Sequence, residues 1–492
     1  MTARTDVQEK NFPIAIIGSG FGGLGMAIRL QEAGLHDFTI LERADEIGGT
    51  WRDNTYPGVA CDVPSHVYSF SFEPNPEWNR IFAPGDEIQR YLLGCVERYG
   101  LRSKIRFNHN VTAARFDERS ATWTLTTEHG AEIRARAVVS AVGGLVDPAP
   151  CAIPGASDFA GEIFHTARWD HSCNLAGKRV AVIGTGASAI QVVPAIATEV
   201  QSLTVFQRTA AWVVPRRDRA ITAAEKDKFR TRPSRLRRHR SLLFWFSEMM
   251  GPLIILDWPW LSRIVERASL RHLEASVADP SLREKLTPHF QFGCKRMLIS
   301  DDYWASFERP NVELVTEPIE CITRAGIRTA DGREHPFDVI VLATGYKLGL
   351  ASAPFEIVGR AGRTLGQVWG AGAEAFKGMC VPGFPNWFII MGPNTGPGHT
   401  SVLVYTEAQI GFIRQALLML AKNGTRFLDV RRDVTERWNA KIERRMKYTS
   451  WSSGCASWYL SPDGKNHSLF PGFATEYTAS VRRFRPTEFE QG

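Results

Sequence analysis

The chain has 492 residues, 44% of them hydrophobic and 23% charged, the balance of a folded protein with room for two or three domains rather than a disordered or fibrous chain. The net charge of +7 is compatible with nucleic acid, but no nucleic-acid-binding module accompanies it, and bound anionic cofactors account for a basic balance equally well. The eight cysteines (61, 95, 151, 173, 294, 321, 380 and 455) show no CxxC pair or metal-ligand spacing and read as reduced, mostly buried thiols. The polar first ten residues lack an apolar signal core, so the expectation is a cytoplasmic protein without a metal site.

Residues 12–17 are a short apolar run ending at glycine, 24–33 carry helical periodicity that stops near Gly34, and 38–41 read as a second strand. This is a βαβ unit, with Gly18-Ser-Gly20-Phe-Gly-Gly23 at its first turn. Glycines are needed there because the chain turns sharply and its backbone approaches a pyrophosphate, which the helix N-terminus meets with N–H donors. The second strand ends in Glu42, an acceptor for ribose hydroxyls, as suits the adenosine end of FAD. Gly48-Gly49-Thr50-Trp51 follows and leads through Tyr56-Pro57-Gly58 to Asp62. Residues 122–128 and 132–139 alternate as a hairpin does, and 141–144 close the first block.

The same order returns downstream: a strand at 179–183, the turn Gly184-Thr-Gly186-Ala-Ser188, a helix at 187–198 and a strand at 203–206. This second strand ends in Gln207-Arg208-Thr209. With no carboxylate and a guanidinium in its place, a ribose 2′-phosphate is accommodated, so NADPH is expected over NADH. Between the two folds runs Phe159-Ala-Gly161-Glu-Ile-Phe-His165-Thr-Ala-Arg-Trp169-Asp170. The second block is expected to span 147–336 and to hold a helical, aromatic insert at about 217–290. Within the insert, 242–261 are apolar for about a bilayer's width and follow a basic run at 230–240. Glu248, Gly251-Pro252, Asp257 and Pro259 interrupt that stretch. It therefore reads as a helical subdomain over the active site, its aromatic residues from Phe244 to Trp260 lining the pocket, and not as a spanning helix; peripheral membrane contact stays open.

Residues 337–346 read as a buried strand and turn that return the chain to the first sheet, which makes the first domain discontinuous, 1–146 and 337–492. The expected fold class is α/β, with two Rossmann-like dinucleotide-binding domains, for FAD and NADPH, and the helical insert in the second. A last glycine-rich block, Gly392-Pro-Asn394-Thr-Gly396-Pro-Gly398-His399, precedes an amphipathic run at 400–417.

Together these motifs resemble the flavin-dependent type I Baeyer–Villiger monooxygenases, class B flavoproteins that insert one oxygen atom into ketones. The family pattern F-x-G-x-x-x-H-x-x-x-W-[P/D] is met by Phe159, Gly161, His165, Trp169 and Asp170. The pattern G-x-W-x-x-x-x-[FY]-P-[GM]-x-x-x-D is met by Gly49, Trp51, Tyr56, Pro57, Gly58 and Asp62. The resemblance implies flavin contacts from Gly18, Gly20, Gly23, Glu42, Gly49, Trp51, Asp62 and Asn394, and NADPH contacts from Gly184, Gly186, Ser188, Arg208, Thr209 and Lys295. It makes Arg296, in Phe292-Gly-Cys-Lys295-Arg296, the catalytic arginine that stabilises a peroxyflavin, with Asp62 holding it. It gives His165 and Trp169 a conformational role, and it leaves Trp458 either as an NADP and substrate contact or as plain core. The partners it implies are a small hydrophobic ketone and O2. The alternative is a sulfide- or amine-oxidising relative, whose usual motif ends in Phe or Tyr where this chain has Trp169. A disulfide reductase needs a cysteine pair beside the flavin, and Cys61 has no partner within a turn; an inert flavin-binding sensor does not need the full motif set. The sequence assigns neither a particular ketone nor an oligomeric state.

Overall fold

The computed structural model describes residues 13–347, 354–370, 372–422, 424–455, 457, 459–461 and 464–492. Two five-stranded parallel sheets organise it. The first takes β1 (Ile14–Ile17), β2 (Phe38–Leu41), β3 (Ile105–Arg106) and β4 (Ala137–Ser140). The second takes β5 (Glu162–His165), β6 (Arg179–Ile183), β7 (Ser202–Phe206), β8 (Val312–Val315) and β9 (Val339–Leu342). A last strand, β10 (Trp387–Ile389), joins β4, so the orders are β10-β4-β1-β2-β3 and β8-β7-β6-β9-β5. β1, β4 and β9 are buried at every position, as parallel strands covered on both faces must be.

Helix α1 (Phe21–Glu32) follows β1, and α2 (Ala189–Ile196) follows β6. Gly18 has φ +99°, and a Cβ there would lie 2.7 Å from the Ala141 carbonyl oxygen; a Cβ on Gly23 would meet the Gly18 oxygen at 1.9 Å. Only glycine lets the turn, the helix and the end of β4 approach this closely.

The strand at 337–346 does not rejoin the first sheet. β9 pairs with β6 and β5, Val339 opposite both Val180 and Glu162. A fully apolar strand fits the centre of either sheet, so its composition could not distinguish them. The chain crosses back only afterwards, where 356–358 pair with 113–115 and β10 with β4. The hairpin forms between 122–127 and 132–135, and 137–140 leave it to become β4.

Four helices fill the insert: α3 (Ala223–Thr231), α4 (Pro233–Ile255), α5 (Pro259–Ser276) and α6 (Pro280–Leu286). Thr222 and Glu225 close a capping box on α3, and proline stands in the first turn of each of the other three. α4 buries Leu236, Glu248, Gly251 and Ile255. Trp245, Phe246 and Met249 point the opposite way, into solvent, and so do Trp258 and Trp260. The aromatic insert therefore turns these side chains outward instead of lining a pocket with them. Among the described residues no helix is long and apolar enough to cross a membrane. Two helices of the last third, α7 (Val402–Lys422) and α8 (Ala474–Val481), pack on the first sheet's side, and α1 approaches α7 through Gly25, beside Ile410.

The cysteines are not all thiols. Cys294 and Cys455 form a disulfide across a sequence separation of 161, with Cα atoms 6.2 Å apart. No short-range spacing announces a bridge of that length. Cys61, Cys95, Cys151, Cys173, Cys321 and Cys380 are free.

The insert docks on the first domain around His66, whose ring packs edge-on against Phe229 and His239 at 5.0 and 5.1 Å and whose carbonyl accepts from Arg240 at 2.6 Å. Burial, then His239 and Arg240, push the His66 pKa down from 6.5 to about 4. The fold thus disfavours its charged form: the contribution to stability is complete above pH 6.5 and is lost as pH falls toward 4. Denaturant titrations between those limits are expected to show roughly 3 kcal/mol of lost stability that a His66→Gln variant no longer shows.

Candidate active site

Both glycine turns open at the carboxyl ends of their sheets, where doubly wound folds place ligands. Gly184 has φ +122° and would meet the Ala343 oxygen at 2.4 Å with a Cβ, repeating the contact at Gly18. Gly20 and Gly186, by contrast, face open space, with nothing nearer than 3.9 Å to a Cβ position. At the end of β2, Glu42 is buried. It accepts from the Ser19 N–H at 3.0 Å, the Ser19 hydroxyl at 2.5 Å, the Ala44 N–H at 3.0 Å and Arg52 at 2.8 Å. These fill the acceptor positions of a carboxylate, so a ribose there exchanges with the Ser19 hydroxyl or the Arg52 guanidinium.

Gly49 starts the short helix Thr50–Asp53, and the Trp51 indole donates to the Tyr68 hydroxyl at 3.2 Å. Farther along the same segment, Asp62 meets Arg296 from 234 residues away. Oδ2 accepts from Nη2 at 2.6 Å and from Nε at 3.1 Å. Asp62 holds the guanidinium pKa well above its ordinary value, against the opposing effect of burial. The Arg296 side chain stays 44% accessible in this pair, and that of Asp62 32%, so the guanidinium keeps donors open beyond its carboxylate partner. Tyr459 stands close enough that its pKa responds to both Arg296 and Asp62, and burial pushes it up to about 12.

A cavity of about 590 Å³ opens along the segment that leads to Asp62, lined among others by Trp51, Asn54, Gly58, Val59 and Arg216. Arg216 donates to the carbonyls of Cys61 and Phe82 at 3.4 Å, and its buried Nε has no hydrogen-bond partner. On the other fold Lys295 lies over the Phe290 ring at 4.8 Å. Its pKa is lowered by burial and then by Arg208, so the two cations face one shared space, and neither forms an ion pair among the described residues. Thr209 is held by the Thr185 hydroxyl, which donates to its carbonyl at 2.9 Å.

The two folds touch through Tyr56, whose hydroxyl donates to Gln191 Oε1 at 2.8 Å, while Gln191 Nε2 donates to the Ala60 carbonyl at 2.9 Å. Ser188, at the start of α2, bonds the same tyrosine. Gln191 sits one turn into α2, outside any motif. Arg216 carried only the weak signal of a dibasic step.

The linker motif does not converge on Arg296. Phe159 and Gly161 pack at the edge of the second sheet, where a Cβ on Gly161 would lie 2.3 Å from the Asp338 oxygen. His165 is buried, accepts from the Ala167 N–H at 3.0 Å through Nδ1, and stands edge-on to Tyr346 with ring centres 6.1 Å apart. Burial lowers its pKa. Trp169 meets Phe164 edge-on at 5.0 Å, and Asp170 caps the turn at Ser172. Asn394 turns its amide to the carbonyls of Asn466 and Leu469, at 2.8 and 3.1 Å; it braces the loop behind the glycine-rich block. His399, in that block, donates to the buried Glu248 of α4 at 2.6 Å. Trp458 lies outside the described residues.

Two dinucleotide folds joined at a seam that carries an Asp–Arg pair define an oxidoreductase that brings two nucleotides together. The family profile described as pyridine nucleotide-disulphide oxidoreductase matches residues 15–231. A Baeyer–Villiger monooxygenase of Streptomyces coelicolor is 44% identical over 490 residues, covering 99% of this chain and 94% of the relative. Among solved structures, oxidized steroid monooxygenase bound to NADP superposes with a TM-score of 0.86 at 31% identity, over 96% of this chain and 97% of the other. The OTEMO complex with FAD and NADP superposes with a TM-score of 0.89 at 26% identity, over 98% and 99%. The chain belongs to the Baeyer–Villiger monooxygenase family.

Tyr56 and Gln191 are expected to couple across the seam. A double-mutant cycle of Tyr56→Phe and Gln191→Ala, read by denaturant unfolding, should return an interaction of ~1 kcal/mol; additive single effects would show that the bond does not join the folds.

Proposed function

We propose that this chain is an FAD-containing, NADPH- and O2-dependent monooxygenase that converts hydrophobic ketones to esters or lactones. The balance is ketone, O2, NADPH and a proton in, and ester, water and NADP⁺ out. The observation that carries the reading is the Asp62–Arg296 pair, built from both halves of the molecule, with the guanidinium still accessible. The residues present fit the two cofactors. Backbone at Gly20 and Gly186 is open where a pyrophosphate would lie, the start of α1 directs N–H groups there, and Arg216 keeps an orphaned buried donor beside the cavity. Of the solved relatives named above, the OTEMO complex holds FAD and NADP, and the steroid monooxygenase holds NADP. FAD held there would supply hydride acceptance from NADPH and the transfer of one oxygen atom of O2 to the ketone.

The protein's own part is electrostatic. Arg296 supplies a permanent positive charge where negative charge accumulates on oxygen. Asp62 fixes the guanidinium plane through Nε and Nη2, so the remaining N–H groups keep one orientation. Lys295 and Arg208, two cations with one space between them, hold the 2′-phosphate. His165 and Trp169, packed at the edge of the second sheet, act on the relation between the folds and not on the substrate.

Two outcomes test this. Arg296→Ala should cut ester formation by ~100-fold or more and divert NADPH oxidation to hydrogen peroxide while the KM for NADPH stays near its original value; Asp62→Asn should do the same to a smaller degree. Ketone conversion unchanged in Arg296→Ala would sink the reading. Separately, Arg208→Ala and Lys295→Ala should each raise the KM for NADPH by ~10- to 100-fold, the equivalent of one charge-assisted hydrogen bond, and leave the KM for NADH little changed. Equal losses with both coenzymes would remove these cations from the 2′-phosphate site.

A further inference from the structure

The outer face of the insert is the largest feature that the proposed reaction does not use. Along α4, Arg235, Arg238, Leu242, Trp245 and Met249 recur at helical spacing on one side and are all exposed. Trp245 keeps 60% and Met249 68% of its surface accessible. The opposite side of the helix is fixed. Glu248 accepts from His399, from the Ala474 and Thr475 N–H groups and from the Thr475 hydroxyl, and Gly251 lies against Phe473 and His399. The helix therefore cannot roll to bury its apolar residues without breaking a buried, fully paired carboxylate.

α5 repeats the pattern in reverse. Trp260 and Ile264 come first, then Arg267 and Arg271, again at helical spacing and exposed. Three residues connect the helices, and within them Trp258 stacks on Trp260 with ring centres 6.1 Å apart. Backbone bonds tie this connection to Tyr448, itself exposed. Among the described residues the insert's exposed aromatic side chains lie along the second half of α4, in the connection and at the start of α5, with exposed Asp257 and Arg263 among them. Arg235 and Arg238 lie beyond them on α4, and Arg267 and Arg271 beyond them on α5, and no carboxylate stands within ion-pair distance of these four among the described residues. Between Arg238 and Met249 the helix rises about 16 Å.

We propose that this end of the insert is a docking surface for an anionic phospholipid bilayer, entered by the aromatic tip and held by the arginines at the phosphate level. From the connection outward, the two helices run mainly from apolar to cationic, the order of layers a bilayer presents, and Trp with flanking Arg suits its interface. A protein partner would call for an apolar centre ringed by polar groups on every side; here Arg235, Arg238, Arg267 and Arg271 stand on the side away from the connection, and of the arginines on α5 Arg263 lies among the apolar residues. The patch exceeds the scattered single apolar residues normal for a protein surface. A hydrophobic substrate partitions into the same layer, and the helix that carries the tip reaches His399 in the glycine-rich block with its other face.

The test is vesicle co-sedimentation of the flavin-loaded full chain, with phosphatidylcholine vesicles compared with vesicles containing about a third phosphatidylglycerol. Binding should be at least ~10-fold tighter to the anionic vesicles and should weaken with salt. The pair Arg235→Gln with Arg238→Gln should weaken it about 5-fold for each charge removed. Trp245→Ser with Trp260→Ser should abolish it, together with the blue shift of tryptophan emission on vesicle addition, and leave turnover of a water-soluble ketone unchanged. No partition into anionic vesicles, equal binding to both kinds, or a solution dimer that Trp245→Ser dissociates would each overturn the proposal, the last by showing a second copy of the chain on this face.

Discussion

Two carbonyl oxygens, those of Ala141 and Ala343, set the geometry on which the rest depends. Each lies where a side chain on the first glycine of a nucleotide turn would begin, at 2.7 and 2.4 Å from the Cβ position. Because that position is empty, β1 can run directly beside the end of β4, and β6 beside the end of β9, while α1 and α2 start within a turn of the strand ends. Both sheets therefore present open backbone at their carboxyl edges. A methyl group at either place would push the neighbouring crossover away and move the helix N-terminus off the ligand. The same local solution, used twice, yields two sites, and the seam between them is where chemistry becomes available.

At that seam an ion pair adds to the apolar packing of Tyr56 and Val59 against the second fold's core. Asp62 comes from the segment that follows the first fold's short helix, and Arg296 from the loop just past the insert. Their bond gives the guanidinium a fixed plane and a charge that no accessible pH removes. Tyr56 and Gln191 add a neutral contact to the same seam, so the position of Arg296 relative to the first fold is set at two separated points. Burying a lone guanidinium would be unfavourable; with one carboxylate partner and 44% of its side chain accessible, Arg296 keeps its remaining donors free for a substrate.

Much of this was legible from the residues. The two glycine turns and the second-strand endings at Glu42 and Arg208 follow from local patterns whose physics is local; the pairing of Asp62 with Arg296, 234 residues apart, was implied by the family resemblance. What escaped was decided by distance along the chain or by facing. β9 is apolar at each position and would serve in either sheet; only its register with β6 and β5 assigns it. Cys294 and Cys455 are too far apart in sequence to suggest a bridge. No local pattern announces that the Asn394 amide braces the 466–469 loop. The aromatic residues of α4 and α5 were read as a pocket lining because composition records how apolar a helix is, and not which side of it is anchored; Glu248, a charge inside an apolar run, is the anchor that turns them outward.

The disulfide closes a ring through the whole architecture. The chain between Cys294 and Cys455 contains β8 and β9 of one sheet and β10 and α7 of the other. A covalent loop thus passes through both folds and ends two residues before Arg296. In the chain-entropy account, closing a loop of 161 residues removes about 5 kcal/mol of freedom from the unfolded chain. The gain belongs to neither fold alone: while the bridge is intact, a partial unfolding that detaches one sheet still leaves its strands tethered to the other. Arg296 accordingly sits at the clasp of a belt that binds the two nucleotide folds into a single unit of stability.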